Sequence, residues 1–353
     1  VIEVLAYAKK PVGAVMMRPL LRRFTLDPRF AVRGAAKWFG DDAGARVFTA
    51  AGVEQIAPLP VWRARFKRFD VYLSADFGVV APRSRIKVHL FHGVSFRNHA
   101  VHQNALRYDL LLLAGPYMRR QFEQRGILTA ANAERFVTVG MPKLDALVDG
   151  SLRRDDVLTR LALDPALPTV LYAPTWSKKM SSLIHHGEAL ARELARFSGN
   201  VIVKLHDNSL DPRKAKRDWR ALFATLESPR FRFVDAADVV PLLAAADVLV
   251  SDASSVANEF ALLDRPIVFL DIERLEEKVK DKADLDTWGR RSGDVIDGPA
   301  ALLPALDAAL ADPKRHSDVR RALAADIFHE PGHATEHAWN AILRALTAKG
   351  LLA

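Results

Sequence analysis

The sequence predicts two successive doubly wound α/β domains, and three observations carry that reading. Short apolar runs of β type alternate with amphipathic stretches of helix length. The alternation restarts after a charged helical segment, which places a domain boundary near residues 148–166. The 353 residues exceed one ordinary core and suit two domains of roughly 150–200 residues each.

In chain order, the first series of expected strands is Val1–Ala8, Phe30–Arg33, Arg46–Thr49, Val71–Ser74, Ile86–Phe91, Leu110–Ala114 and Phe136–Val139. Leu110–Ala114 is apolar throughout and ends in the breaker pair Gly115-Pro116, as a strand buried on both faces does. Met141-Pro142-Lys143 follows Val139-Gly140 and opens a helix with proline in its first turn. The second series is Thr169–Ala173, Val201–Leu205, Phe231–Val234, Val248–Ser251 and Ile267–Leu270. Helices then follow over Ala300–Leu310, Lys314–Ile327 and His333–Leu346. Domains are expected over residues 1–150 and 151–332, with a C-terminal helix at about 333–353 returning to the first. Ligands of such sheets sit beyond the carboxyl ends of the strands, here in a cleft between the two domains.

Composition narrows the class. Half the residues are hydrophobic and a quarter charged, which excludes a disordered chain. The absence of cysteine excludes disulfides and thiolate metal sites, and it fits a reducing, cytoplasmic compartment. No stretch approaches the ~20 apolar residues of a membrane span, and the opening Val1–Ala8 reads as a strand rather than a secretory leader. No repeat or low-complexity tract is found.

The net charge of +9 favours anionic partners. It concentrates in two clusters, residues 17–24 (MRPLLRRF) and 62–69 (WRARFKRF). Each reads either as a helix resting on anionic headgroups at the inner face of the membrane or as a solvated face over a core stripe. Nucleic acid is not an expected partner, because no recognised module is present and aromatics are only 8%.

Four segments end a predicted strand in small or polar residues. The most informative runs from Asp247 to Phe269: a buried strand ends at Ser251-Asp252, Ala253-Ser254-Ser255 follows, and a helix closes at Asp264-Arg265-Pro266. Hydroxyl residues at a helix start form an anion seat, and Asp252 or Ser254 is expected to cap that helix. In the second segment, His92 leaves an apolar strand directly into Gly93, with Ser95 and Arg97 close behind. A histidine so placed is either a satisfied core residue or a cleft residue. In the third, Lys204 and His206 share one strand face, an ammonium and an imidazole suited to a diphosphate. In the fourth, Pro174 stops a strand and Thr175 presents a hydroxyl and an amide. The following His185-His186 pair diverges by about 100° on a helix and does not share an ion. Walker-type, GxGxxG, HExxH and GxSxG motifs are absent, which disfavours the corresponding enzyme classes.

Together these segments resemble the CDP-glycerol glycerophosphotransferase family, the enzymes that build teichoic-acid-like polymers. The matching pieces are His92-Gly93, Tyr172-Ala173-Pro174-Thr175-Trp176, Lys204-Leu205-His206, Ser251–Ser255, Leu263–Pro266 and the tail Pro331–Ala338, in order over residues 85–345. The resemblance implies a glycosyltransferase-B arrangement of two Rossmann-like domains. The first would face the acceptor, through Gly93, Ser95 and Arg97, and the second would bind the donor. It implies metal-independent transfer of an alditol phosphate from a CDP-activated donor to a hydroxyl of an anionic or lipid-linked polymer, releasing CMP, with no cofactor.

In that scheme His92 is the general base and His206, also placed with the catalytic residues, holds the donor pyrophosphate. Lys204, Ser254, Ser255, Asp252, Thr175 and Arg290 (or its neighbour Arg291) attend the phosphates, and Pro174, Val234 and Val239 the nucleotide. Two other readings stay open: a nucleotide-sugar glycosyltransferase of the same architecture, and a non-catalytic nucleotide-binding or membrane-docking protein.

Overall fold

The computed structural model describes residues 1–36, 43–53, 56–91, 93–94, 101–215, 217–272 and 290–352. The chain divides into two compact units. Of the described residues, those up to Val94, from Val101 to Asp145 and from Ala325 onward form one, and those from Ala146 to Ala324 form the other.

The first unit is built on a seven-stranded, all-parallel sheet. Its strands are β1 (Ile2–Ala8), β2 (Phe30–Ala36), β3 (Ala57–Pro58), β4 (Val71–Ser74), β5 (Ile86–Leu90), β6 (Leu110–Leu113) and β7 (Phe136–Thr138). They run in the order β3-β2-β1-β4-β5-β6-β7. The helices are α1 (Pro11–Leu26), α2 (Ala43–Thr49), α3 (Val61–Phe66) and α4 (Pro116–Gln124), and the short α5 (Asp145–Val148) begins at the unit's last residue here and continues into the second unit.

Arg46–Thr49, expected as a strand, is the end of α2 instead. Val47 and Phe48 are buried there on one side of a helix. A short apolar run carries no period long enough to tell a strand from a buried helix turn. The strand of this region is the two-residue β3, whose proline at the sheet edge hid it.

Helix α1 buries Met16, Met17, Leu20, Leu21 and Phe24. Phe24 meets Phe30 and Trp339 edge-on at centroid separations of 5.0 and 4.9 Å. Trp339 belongs to the last helix, so the C-terminus completes this unit's core. Two glycines admit the tail. A Cβ on Gly115 would stand 2.2 Å from the Ile327 carbonyl oxygen, and one on Gly140 (φ 93) would stand 2.5 Å from that of His329. The Asp145 carboxylate then accepts the N–H groups of Ala334 and Thr335 at 3.0 and 2.7 Å, capping the last helix across the chain.

The second unit repeats the plan with six parallel strands: β8 (Thr169–Tyr172), β9 (Asn200–Val203), β10 (Phe231–Phe233), β11 (Val248–Ser251), β12 (Ile267–Leu270) and β13 (Asp294–Ile296). Their order is β10-β9-β8-β11-β12-β13. β8, β9, β11 and β12 are buried along their whole length, as their continuous apolar runs require. Before and between them lie α6 (Arg154–Arg160), α7 (Ser182–Arg196), α8 (Asp207–Leu210), α9 (Trp219–Ala224), α10 (Val240–Ala245) and α11 (Val256–Phe260). After β13 come α12 (Leu302–Ala311), α13 (Ser317–Ile327) and α14 (Ala334–Ala348), the last two reaching into the first unit. Among the described residues no helix is long and apolar enough to cross a membrane.

Candidate active site

In each sheet the strand order reverses beside the first strand of the unit, between β1 and β4 and between β8 and β11. Chains leaving two such strands diverge to opposite faces and open a crevice at the carboxyl edge. In the second unit that crevice lies between the residues after β8 and those after β11. Ser251 Oγ donates to the Ala173 carbonyl at 2.8 Å, and Ala173 N donates to the Val250 carbonyl at 3.0 Å.

Asp252, 2% exposed, completes this lacing. One carboxylate oxygen accepts from Thr175 N at 2.7 Å, the other from Ser182 N at 2.7 Å and Ser182 Oγ at 2.8 Å. Ser182 Oγ also pairs with Tyr172 OH at 2.9 Å. Burial pushes the Asp252 carboxyl up to about 7, against the pull of those donors. Asp252 or Ser254 is expected to cap the helix that follows, and Asp252 to attend phosphate. Asp252 does not cap the helix: Ser255 stands at the N-cap without a side-chain cap bond, and Ser254 Oγ accepts only a long 3.4 Å bond from Val256 N. With three donors on its oxygens, the buried carboxylate clasps the residues after β8 to those after β11. The Thr175 amide, expected to face a ligand, is taken by the same clasp, which leaves that residue its hydroxyl.

The first unit has a similar lacing. Asp76, two residues beyond β4, accepts from Lys9 N at 2.9 Å just after β1. Its carbonyl accepts from Tyr108 OH at 2.6 Å. Nothing in the local sequence marked Asp76, since its partner lies 67 residues away.

Beyond β9 the chain reaches His206, the extended N-cap of α8. His206 Nδ1 accepts from Asn208 N at 3.0 Å. The neutral ring therefore carries its proton on Nε2, which becomes a donor of the kind a phosphate oxygen needs. Lys204 is half-buried two residues earlier, its Nζ donating to the Leu205 carbonyl at 3.1 Å. Trp176, 45% exposed, places its ring 5.8 Å from the His206 ring, with Lys214 Nζ 5.9 Å from the indole. An exposed indole beside two potential cations is a stacking platform. Trp176 is not among the expected site residues, because an indole in the Tyr172–Trp176 segment carries no local sign of the partners that reach it from elsewhere in the chain.

Pro174 is buried at the end of β8, Val234 follows β10 with its N–H on the Val203 carbonyl, and Val239 is the N-cap of α10. All three lie past the carboxyl ends of strands. Arg290 donates to Asp271 beyond β12 at 2.7 Å, and His186 Nε2 lies 3.0 Å from the Asp271 carbonyl oxygen. In the first unit, Gly93 follows β5 and the buried Phe91. His92, Ser95 and Arg97 lie outside the described residues.

Fold and site together define a Rossmann-like α/β protein of two parallel-sheet units, with polar and cationic groups gathered past the strand ends of the second. The chain belongs to the CDP-glycerol:poly(glycerophosphate) glycerophosphotransferase family, whose family model matches residues 79–344. It is 26% identical over 216 residues to the teichoic acid glycerol-phosphate primase of Bacillus spizizenii, covering 60% of this chain and 49% of that protein. It is 25% identical to the teichoic acid glycerol-phosphate transferase of Staphylococcus aureus, covering 57% of this chain and 51% of that one. The chain thus spans about half the length of these curated relatives. Among solved structures, the wall teichoic acid polymerase TagF shares the fold with a TM-score of 0.68 at 15% identity, over 99% of this chain and 89% of that one. A UDP-N-acetylglucosamine 2-epimerase shares it with a TM-score of 0.60 at 13% identity, over 99% and 96%.

Proposed function

We propose that the chain transfers an alditol phosphate from a CDP-activated donor to a hydroxyl of an anionic or lipid-linked polymer, releasing CMP. The family match across residues 79–344 carries this reading, and the named activities of the primase and transferase relatives agree with it. We assign the donor to the second unit, Ala146–Ala324 where residues 151–332 are expected, and the acceptor to the first.

The acceptor oxygen attacks the phosphorus that bears the alditol. A new P–O bond forms, the bridging P–O bond breaks, and CMP leaves with its electron pair. Such a reaction needs alignment and charge compensation more than covalent help from the protein. His206 Nε2–H, Lys204 and the Ser254-Ser255 turn supply donors and positive charge to the diphosphate. Trp176 stacks on the base, and Pro174, Val234 and Val239 bound its pocket. His92 takes the acceptor proton, a task suited to an imidazole near neutral pH. Arg290 attends the phosphates from Asp271.

Incubation with CDP-glycerol, CDP-ribitol and UDP-sugars, each with polymer acceptor, tests the assignment. Acceptor-dependent release of CMP is the expected outcome. Release of UDP would replace this reading by a nucleotide-sugar glycosyltransferase, and binding without turnover would leave a nucleotide-binding protein.

We also infer that α3 rests on an anionic membrane. Of the two basic clusters, residues 17–24 lie on α1, whose apolar side chains are buried in the core. On α3, by contrast, Trp62 and Phe66 are 61% and 66% exposed beside Arg63 and Arg65. Exposed aromatics one helical turn apart among arginines suit the interface between headgroups and acyl chains.

A further inference from the structure

The first unit holds a side-chain cluster that the transfer chemistry leaves unused. His329, Glu330 and His337 each offer one ligand atom, and these atoms lie within 4.8 Å of one another. Glu330 is the hub: His337 Nε2 stands 3.2 Å from one carboxylate oxygen and His329 Nε2 3.8 Å from the other. Glu330 has φ 38, a left-handed conformation that a residue with a Cβ adopts only at a cost. His333, one turn before His337, has its ring 6.3 Å from the His337 ring.

The segments that carry these groups are fixed independently of any ligand. His329 N donates to the Ala114 carbonyl at 2.8 Å. The Asp145 carboxylate anchors the N–H groups of Ala334 and Thr335 at the start of α14.

We propose that His329, Glu330 and His337 form a binding site for a divalent first-row ion of the zinc class, with His333 or water as fourth ligand. Two imidazoles and a carboxylate are a ligand set that zinc prefers and that magnesium and calcium do not. Ligand atoms in a tetrahedron around zinc stand about 3.3 Å apart, given bonds of about 2.0–2.1 Å. The Glu330–His337 pair already has that spacing, and the other pairs reach it by small side-chain rotations. The ion is structural: it fastens the turn at residues 329–330 to the start of the last helix, and no step of phosphate transfer runs through it. His337 Nδ1 is buried without a hydrogen-bond partner. The site thus lacks an outer-shell acceptor on that ring, which weakens binding by about 10–100-fold relative to a supported site.

The test uses the untagged chain, stripped with a chelator and titrated with Co²⁺ and Zn²⁺. One equivalent of Co²⁺ should bind with the intense visible bands of a tetrahedral site, and Zn²⁺ should displace it and raise Tm. Mg²⁺ at the same concentrations should do neither. His329→Gln and His337→Gln should each weaken Zn²⁺ binding more than about 100-fold, beyond the loss of an outer-shell partner, with an unchanged circular dichroism spectrum. Glu330→Gln, at an exposed side chain that the fold does not need, should weaken it less. Failure of the parent chain to bind at micromolar free Zn²⁺ would overturn the proposal. So would undiminished binding by the His329→Gln/His337→Gln double variant, which would place the ion elsewhere.

Discussion

At the scale of single residues, the proposed transfer turns on where one proton goes. A positioned general base is worth about 10²–10⁴ in rate. His92→Ala should therefore bind CDP-glycerol with little change yet lose transfer by that factor, as calorimetry and a CMP-release assay would show. Wild-type turnover in that variant would remove His92 from the mechanism. Asp252 makes a different, thermodynamic prediction. Its folded pKa of about 7 lies above the ordinary aspartate value. Below about pH 4 the carboxyl is protonated in both states. Between there and about 7 only the unfolded chain has lost the proton, so stability falls as pH rises, by up to ~1.4 kcal/mol per pH unit, and then levels off. Asp252→Asn should lack that slope in urea denaturation across the same range. It should also lose ~1–3 kcal/mol for each Ser182 donor left facing an amide NH₂. An unaltered slope in the variant would show that another group titrates.

At the scale of elements, the turn after α11 shows how a local signal and a distant partner combine. Leu263-Asp264-Arg265-Pro266 read as a helix end, and the chain does stop there, with Asp264 left-handed at φ 49. The carboxylate then gathers Ser317 Oγ at 2.6 Å, Lys314 Nζ at 3.0 Å and Arg320 Nε at 3.0 Å, fastening the start of α13. Burial raises the Asp264 pKa, but those donors outweigh it and hold the carboxyl below the usual range. The pair therefore stabilises the fold above the unfolded aspartate pKa, and that contribution is lost as pH falls through the folded one. Arg320 is 1% exposed. Asp264→Ala strands its guanidinium and should cost ~3–5 kcal/mol in chemical denaturation, whereas a cost below 1 kcal/mol would mean that water compensates the cation. Gly115 makes the complementary point. A methyl group there would collide with the Ile327 carbonyl. Gly115→Ala should free the C-terminal segment and make it the first site of limited proteolysis.

At the scale of the whole molecule, the inferred membrane contact rests on charge and amphipathy together. If α3 meets a membrane, flotation with vesicles containing anionic lipid should capture the protein and release it as salt is raised, because the basic contribution is screened. Trp62→Ala/Phe66→Ala should reduce capture without altering CMP release from a soluble acceptor. Capture by neutral vesicles alone would contradict the electrostatic part. The repetition of one plan is also a whole-molecule property. Both sheets reverse beside the first strand of their unit, and in each a carboxylate closely following one central strand (β4 or β11) binds an N–H beyond the other.

The sequence alone determined the two sheets, the positions of nearly all their strands and the family. Those properties are written in local periodicity, in breaker residues and in short contiguous motifs. The Arg46–Thr49 segment, a short buried helix end, and the overlooked edge strands β3 and β13 have too few residues to set a period. Tertiary structure alone decided the work of individual side chains. Asp252 became a clasp because Thr175 and Ser182, 77 and 70 residues away, deliver donors to it, and the exposed Trp176 ring gained its neighbours because His206 and Lys214 arrive beside it. A hydrogen bond or a stacked ring depends on distance in space, and for residues far apart along the chain that distance is fixed only when the sheet forms.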